Sequence, residues 1–317
     1  MPTYTQLQIF YLSLHFISIF LTLLLIIYLF RSKPFITKWT LIQISLSLLG
    51  FSIFTISSLI IFGDQIEFEA SNELCSVFAK ITTFFLYPVI SFSSVLSCYL
   101  WFLIVKANLN LENATLRYIS AIIWGWSLVY VLFMIIMTRN ERTIATVIYC
   151  KLQVKWYNYY IYWTVMSILI LLNFVFGGHA TYILYKRWNI FKNNKNRQTA
   201  INLGYSVRVA TYISLYTFFM ISYLLSDTIS TASKNLLNKQ AHVGDFTSAL
   251  CGTFLFLIFG TTRSATLFMP CCYYSQPESL QLQCQCQDTQ SMNSSTNTEN
   301  VTIIDLSQEF VNHYNEN

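Results

Sequence analysis

Charged side chains are scarce in this sequence. Asp, Glu, Lys and Arg make up 10% of the 317 residues, whereas hydrophobic residues make up 55%. A soluble domain usually carries about a quarter charged residues, because its surface has to meet water. A chain embedded in lipid has no such need. Its Trp and Tyr collect at the membrane interfaces, which suits an aromatic content of 17%. The composition therefore predicts an integral membrane protein.

The sequence also lacks the common motifs of catalysis and cofactor binding. It has no phosphate-loop or dinucleotide-binding glycine pattern, no His-Glu-x-x-His and no two Cys pairs at zinc spacing. The four His are scattered along the chain. We therefore expect neither an enzyme nor a bound cofactor or metal. The net charge of +5 comes from basic residues between apolar blocks, where they set membrane orientation, so we expect no nucleic-acid partner.

Seven blocks of the sequence are apolar over the length of about 20 residues that a helix needs to cross a bilayer. The blocks are 7–30, 40–62, 76–105, 116–137, 158–185, 206–229 and 246–269. None of them alternates like a barrel strand. We therefore predict an all-α membrane protein, a seven-transmembrane-helix bundle over 1–269. The segment 270–317 becomes rich in Gln, Asn, Ser and Thr, and we predict a tail that is mostly disordered.

The charges of the loops predict the orientation of these helices. The first loop is basic, with Lys33 and Lys38, whereas the second is acidic from Asp64 to Glu73. The fifth loop is basic again. Because basic loops stay on the cytoplasmic side, we predict the N-terminus outside and the C-terminus, with the tail, inside. The fourth loop is also basic and argues against this orientation, but the other loops outweigh it.

Two cysteines fall on the face that this orientation places outside the cell. Cys75 lies at the outer end of the third block, and Cys150 lies in the loop between the fourth and fifth blocks. Disulfides persist on that oxidising side. We predict a bond between them that holds the long loop over the mouth of the bundle. The alternative is two unrelated thiols.

Several short patterns then resemble a G-protein-coupled receptor. Trp124-Gly125-Trp126 is similar to the Gly-Trp-Gly-x-Pro run of the secretin (family 2) and slime-mould cyclic-AMP receptor-like groups, although the Pro is absent here. The fifth block is similar to the family 2 pattern of Asn-Phe followed by a basic end, at Asn173, Phe174, Lys186 and Arg187. The end of the seventh block, Phe259 to Thr262, resembles the Phe-Gly-Thr-Thr ending of fungal and amoebal cyclic-AMP receptor-like proteins. The resemblance spans about 1–270.

Other features point away from the rhodopsin-like and secretin-type receptors. The third block ends without Asp-Arg-Tyr, and the seventh has neither Asn-Pro-x-x-Tyr nor a Lys. The outer N-terminus, which we expect to be only about six residues long, leaves no hormone-binding domain. The resemblance therefore implies a cyclic-AMP receptor-like protein of the plasma membrane. Such a receptor would bind a small extracellular ligand and activate a heterotrimeric G protein. The alternative is a membrane transporter or a ligand-gated channel.

Polar stripes at helical spacing predict which faces of two helices look into the bundle, because hydrocarbon cannot satisfy their hydrogen bonds. One stripe lies on the third helix and the other on the sixth. The candidate ligand-pocket residues on them are Lys80, Tyr87, Ser91, Tyr216, Tyr223 and Asp227. These stripes are equally typical of contacts that hold helices together. Lys80 can pair either with Asp227 or with Glu73.

The inner ends of the fifth and sixth helices are basic, and the resemblance implies that they meet the G protein. The candidates for that surface are Lys186, Arg187 and Arg208. Cys271 and Cys272 beside the membrane are candidates for palmitoylation, with two free thiols as the alternative. His15 and His179 lie inside predicted helices without a partner at metal spacing, and we expect structural hydrogen bonds from both.

Overall fold

The computed structural model describes most of the chain before residue 261. The described residues are 4–32, 37–63, 66, 73–106, 111–137, 144–145, 149–151, 156–193, 197–232 and 243–260. The predicted tail and both candidate palmitoylation sites, Cys271 and Cys272, lie outside them. So do the side chains of Arg187, Tyr223 and Asp227, although their backbones belong to described helices.

The described chain is helical apart from one short pair of strands. The helices are α1 (Gln6–Arg31), α2 (Lys38–Phe62), α3 (Glu73–Lys106), α4 (Leu111–Met137), α5 (Trp156–Leu172), α6 (Gly178–Asn193), α7 (Arg197–Ala232) and α8 (Val243–Phe259). A π-helical turn, Asn173–Gly177, joins α5 to α6 without a break. The strands β1 (Ile144–Ala145) and β2 (Cys150–Lys151) pair antiparallel, with Ala145 opposite Cys150. Each of the seven predicted blocks therefore contains helix, and the fifth contains α5, the π turn and α6.

Five stretches are long and apolar enough to cross a membrane. They are Gln6–Arg31, Lys38–Phe62, Glu73–Val105, Ala114–Ile136 and Thr164–Lys186. A shorter apolar helix covers Asp245–Phe259. This agrees with the predicted all-helical membrane class. The seven crossings and the orientation stay predictions.

The surface of these helices suits lipid better than water. Large apolar side chains point outward, among them Phe20 of α1, which is 62% exposed, and Ile136 of α4, which is 74% exposed. Small polar side chains point inward, such as Ser45 and Ser47 of α2. Because hydrocarbon offers no hydrogen bonds, polar groups are favoured inside and apolar groups outside.

Both ends of α2 are held by side chains from other helices. At its start, Thr37 adopts a left-handed backbone with φ 66° and gives no side-chain cap. The Glu112 carboxylate of α4 accepts hydrogen bonds from the Thr37 N–H, the Thr40 N–H (2.9 Å) and the Thr40 hydroxyl (2.7 Å). At the other end, Gln8 of α1 donates to the Gly63 carbonyl at 3.3 Å. The N–H groups at a helix start need partners, and here α4 supplies one for α2.

We expect Glu112→Ala to destabilise the protein by about 2 kcal/mol, because it leaves buried N–H groups of α2 without an acceptor. Glu112→Gln keeps one acceptor oxygen and should cost less. The matched control is Glu73→Ala, which removes an exposed acid from the first turn of α3. Thermal unfolding of the purified protein in detergent measures all three. Equal midpoints for Glu112→Ala and Glu73→Ala would show that the cap contributes nothing.

We also expect the contribution of Glu112 to stability to depend on pH. Glu112 lies before the span Ala114–Ile136, and burial raises its pKa above the ordinary value despite the opposing hydrogen bonds from Thr40 and Thr37. The folded chain therefore holds this proton to a higher pH than the unfolded chain. Its contribution to stability is full below the unfolded pKa and decreases as pH rises through the folded pKa. The stability difference between wild type and Glu112→Gln should fall across that range and then level off. A difference that grows with pH would contradict this.

Candidate functional site

A disulfide bond holds the loop between α4 and α5 against one end of the bundle, which we call the disulfide end. The Sγ atoms of Cys75 and Cys150 lie 2.05 Å apart, so the structure forms the predicted pair. Both residues are buried in an apolar cluster that also contains Tyr11 of α1, Leu59 of α2 and Ala249 of α8. The bond therefore joins β2 to α3 where four helices meet.

A second contact fixes the same loop to α8. The Tyr149 hydroxyl donates to the Asp245 carboxylate at 2.8 Å. Asp245 lies in the first turn of α8 and is buried. Within the described residues, Cys75 attaches this loop to α3 and Asp245 attaches it to α8. A displacement of the loop would therefore act on both helices.

The most regular polar stripe of the structure lies on α1. It consists of Gln8, Tyr11, His15, Ser18 and Thr22, which recur at three or four residues and are each at most 1% exposed. This spacing places all five on one face of the helix. Sequence reasoning missed this stripe and considered only the third and sixth helices, although the periodic signal was present in the sequence.

The α1 stripe faces α8 at very close range. A Cβ on Gly252 would lie 2.2 Å from the Ser18 Oγ and 2.4 Å from the Thr22 Oγ1. Only a glycine lets the two helices come this close. Small residues at such contacts are the usual means of packing helices in membranes.

The two intramembrane histidines differ from each other. The Trp101 indole donates to the His179 Nδ1 at 2.7 Å, which confirms the structural hydrogen bond expected for His179. His15 is fully buried, and both its ring nitrogens lack a hydrogen-bond partner among the described residues. The buried hydroxyls of Ser18 and Ser52 also lack a hydrogen-bond partner among the described residues. The hydrogen bond expected for His15 is therefore absent among the described residues. Its ring meets the Tyr11 ring edge-on, with 4.6 Å between the ring centroids.

A second polar group lies around the middle of α3. The Ser97 hydroxyl donates to the Asn173 Oδ1 at 2.5 Å, and the Asn173 amide donates to the Ser94 Oγ at 3.1 Å. Ser93, on the neighbouring face, lies 3.3 Å from the Tyr212 hydroxyl of α7. Asn173 opens the π turn, a feature often found where a helix serves a function. We call these five residues the α3 network.

The candidate pocket residues of α3 and α7 that the structure describes differ in their ring contacts. Tyr87 is buried, with its ring 4.6 Å from Tyr130 of α4, whereas Tyr216 stacks on Tyr212 of α7 at 5.8 Å. Lys80 and Ser91 are half-buried. Tyr87 thus contacts α4, whereas the ring contact of Tyr216 lies within its own helix, and a shared pocket stays a prediction. The serines of the α3 network are Ser93, Ser94 and Ser97, and none of them is among the candidate pocket residues predicted from the sequence.

A groove separates α6 from α7 on the outside of the bundle. Its volume is about 430 Å³, and its lining residues are Thr181, Leu184, Tyr185, Val207, Ala210, Thr211, Ser214 and Leu215. Lys186 is exposed directly after Tyr185. Arg208 follows Val207 and is half-buried, and its Nη1 is enclosed without a hydrogen-bond partner in the described part of the chain. Two of the three predicted coupling residues thus adjoin this groove.

No protein-family model matches this chain, and no curated protein matches it. The resemblance to receptors therefore depends on its own short motifs. Two of them have definite places in the bundle. The Trp124 indole donates to the Gln43 Oε1 of α2 at 3.1 Å, and Asn173 belongs to the α3 network. Within the described residues, no cluster of three or more His, Cys, Asp or Glu could hold a metal ion.

The first prediction from this site concerns the disulfide. Replacing Cys75 and Cys150 together by Ser should destabilise the protein by on the order of 4 kcal/mol, because the bond closes a loop of 75 residues. Cys98→Ser is the matched control, since it removes a half-buried free thiol of α3. Thermal unfolding and non-reducing peptide mapping are the measurements. Free alkylation of both thiols in the native protein would show that the bond does not form.

The second prediction uses two helical glycines with opposite surroundings. Gly252→Ala should destabilise the protein by about 1–3 kcal/mol, because the new methyl group collides with Ser18. Gly125→Ala meets nothing within 4 Å and should stabilise α4 by up to about 1 kcal/mol through its higher helix propensity. Unfolding midpoints of the two variants should therefore move in opposite directions. A lowered midpoint in both would mean that glycine itself, and not the α1–α8 contact, is required.

Proposed function

We propose that this chain is a G-protein-coupled receptor of the plasma membrane, similar to the cyclic-AMP receptor-like group. It crosses the membrane seven times, with its N-terminus outside and its C-terminal tail inside. It binds a small extracellular ligand and activates a heterotrimeric G protein. The main support is the disulfide-held loop, because it connects the surface where a ligand arrives to α3 and α8 at once.

The path of the signal through the bundle follows from the contacts of α3. At the disulfide end, Cys75 joins α3 to the loop. Half-way along, Asn173 and Tyr212 join it to the π turn and to α7. A ligand that prefers one arrangement of the loop shifts the population of bundle conformations toward it. The helices that respond are α6 and α7. Their basic residues lie in the last part of α6 and the first part of α7.

The outer ligand site lies between α3 and α7 in this proposal. Lys80, five residues after Cys75, is its half-buried cation. Tyr223 and Asp227 are the candidates that α7 contributes to it. Tyr87, Ser91 and Tyr216 lie deeper. Inside, Lys186, Arg187 and Arg208 form the G-protein surface, and acyl chains on Cys271 and Cys272 anchor the tail.

The second candidate function is a transporter or a ligand-gated channel. The α1 stripe favours it, because a continuous row of buried polar groups from Gln8 to Thr22 is typical of a path for a polar solute. His15, with both ring nitrogens lacking a partner among the described residues, would lie at the middle of that path. Measured solute flux separates this function from the receptor.

The receptor proposal predicts nucleotide exchange on a G-protein α subunit when the protein, reconstituted in nanodiscs, meets extracts from its natural surroundings. Replacing Lys186, Arg187 and Arg208 together by Ala should lower that exchange about tenfold, since three charge contacts of modest strength are lost. Ligand affinity and expression should stay near wild type. The charge-preserving variant Lys186→Arg, Arg187→Lys, Arg208→Lys is the matched control and should keep most of the exchange.

Two outcomes would contradict the proposal. Ion current or solute flux from the same preparation, without exchange on any of a panel of G proteins, would favour the transporter or channel. Loss of ligand binding in the triple Ala variant would mean that the three basic residues support the fold and not the coupling surface.

A further inference from the structure

We propose that the groove between α6 and α7 binds one anionic phospholipid. One acyl chain lies in the groove, and the headgroup phosphate accepts hydrogen bonds from Lys186 and Arg208. This binding needs neither a ligand nor a G protein, so it does not depend on the proposed function.

The groove faces the bilayer. Tyr182 and Tyr185, on the same part of α6, are 62% and 81% exposed, which places this surface against the surrounding solvent. In a membrane that solvent is lipid. The lining is largely apolar, and along α7 it extends from Val207 to Leu215, a rise of about 12 Å. An acyl chain is therefore the occupant that its shape and chemistry suit.

The depth of the groove follows from the end of the apolar span. The apolar run of the fifth block ends at Lys186 and Arg187, the first charged residues after Lys155. Lys186 therefore marks the level where hydrocarbon gives way to headgroups. Lining residues Thr181 to Tyr185 come directly before it. The groove thus opens just inside the hydrocarbon, and the Lys186 ammonium extends into the headgroup layer.

Arg208 lies at the same end of the groove. Only three residues separate the end of α6, Asn193, from the start of α7, Arg197, and the two helices pack together, so they run antiparallel. The end of α6 and the start of α7 therefore lie at the same end of this helix pair. Arg208 lies near the first α7 lining residue, Val207, as Lys186 lies beside the last α6 lining residue, Tyr185. The two cations flank the same mouth.

The protein offers these cations no acid among its described side chains. The acidic side chains that the structure describes are Glu73, Glu112 and Asp245, and they belong to α3, α4 and α8. Glu112 caps α2, and Asp245 binds Tyr149. Asp227, on α7, lies 227 − 208 = 19 residues from Arg208, a rise of about 28 Å. The half-buried guanidinium of Arg208 is thus a charged donor that suits a phosphate oxygen.

The test uses the full-length protein in detergent and measures lipid binding by native mass spectrometry. Phosphatidylserine and phosphatidylcholine with the same acyl chains are the probes. Wild type should bind phosphatidylserine more tightly. Lys186→Ala with Arg208→Ala should weaken phosphatidylserine about thirtyfold, from roughly 1 kcal/mol per cation, and weaken phosphatidylcholine less, because the choline ammonium offsets the charge of its phosphate. Arg117→Ala, an exposed cation of α4, is the matched control and should change neither.

A second variant tests the acyl-chain half of the site. Ser214→Trp fills the groove from an exposed lining position and should weaken both lipids. Its matched control is Ser13→Trp on α1, because both serines are exposed and donate to the carbonyl four residues earlier. Unfolding midpoints near wild type would show that the variants still fold. Retained binding in Lys186→Arg with Arg208→Lys would show the same for substitutions at these two positions.

Four results would overturn the proposal. Equal affinity of wild type for the two lipids would remove the role of the cations. Release of phosphatidylserine by inorganic phosphate alone would indicate a simple anion site without an acyl groove. Unchanged lipid binding in Ser214→Trp would place the acyl chain elsewhere, and binding of a sterol in preference to either phospholipid would assign the groove to an uncharged occupant.

Discussion

Polar groups inside this bundle have to find their partners within the chain, because the hydrocarbon around it offers none. That constraint orders the structure. Glu112 satisfies the start of α2, and Gln8 binds the Gly63 carbonyl at its end. Ser94 and Ser97 bind Asn173. Each of these contacts joins two helices, so the same bonds that remove unpaired polar groups also fix which helices are neighbours.

The helices and the disulfide were the features most open to prediction from sequence. Helix length follows directly from membrane thickness, and each of the seven blocks contains helix where it was predicted. The pairing of Cys75 with Cys150 required only that both lie on one face, which loop charge already indicated. Neither inference needed to know which side of a helix points inward.

The interior contacts were harder to predict, because helical periodicity indicates which face of a helix is polar but not which helix that face meets. On α3, serines at 91, 93, 94 and 97 spread over about 160° of the helix circumference, so sequence alone could not tell that Ser93, Ser94 and Ser97 form the network. The Glu112 cap depends on a contact across 72 residues. The π turn at Asn173 depends on packing around Ser97 and Ile213, against which Gly177 lies closely. Such features are properties of the assembled bundle.

The contacts of α3 extend from the disulfide end to its contact with α4. Cys75 ties its first turns to the loop and, through Tyr149, to α8. Its middle holds the π turn and α7, and further along Tyr99 bonds Thr115 of α4 at 2.8 Å, three residues after the Glu112 that caps α2. A displacement at the loop therefore has a continuous chain of packed and hydrogen-bonded groups to follow. The α1 stripe meets this chain at the disulfide end, where Tyr11 lies in the cluster of Cys75 and Cys150, and its Ser18 and Thr22 lie against α8. A solute path along α1 and a signal path along α3 are therefore two hypotheses that share one end of the bundle.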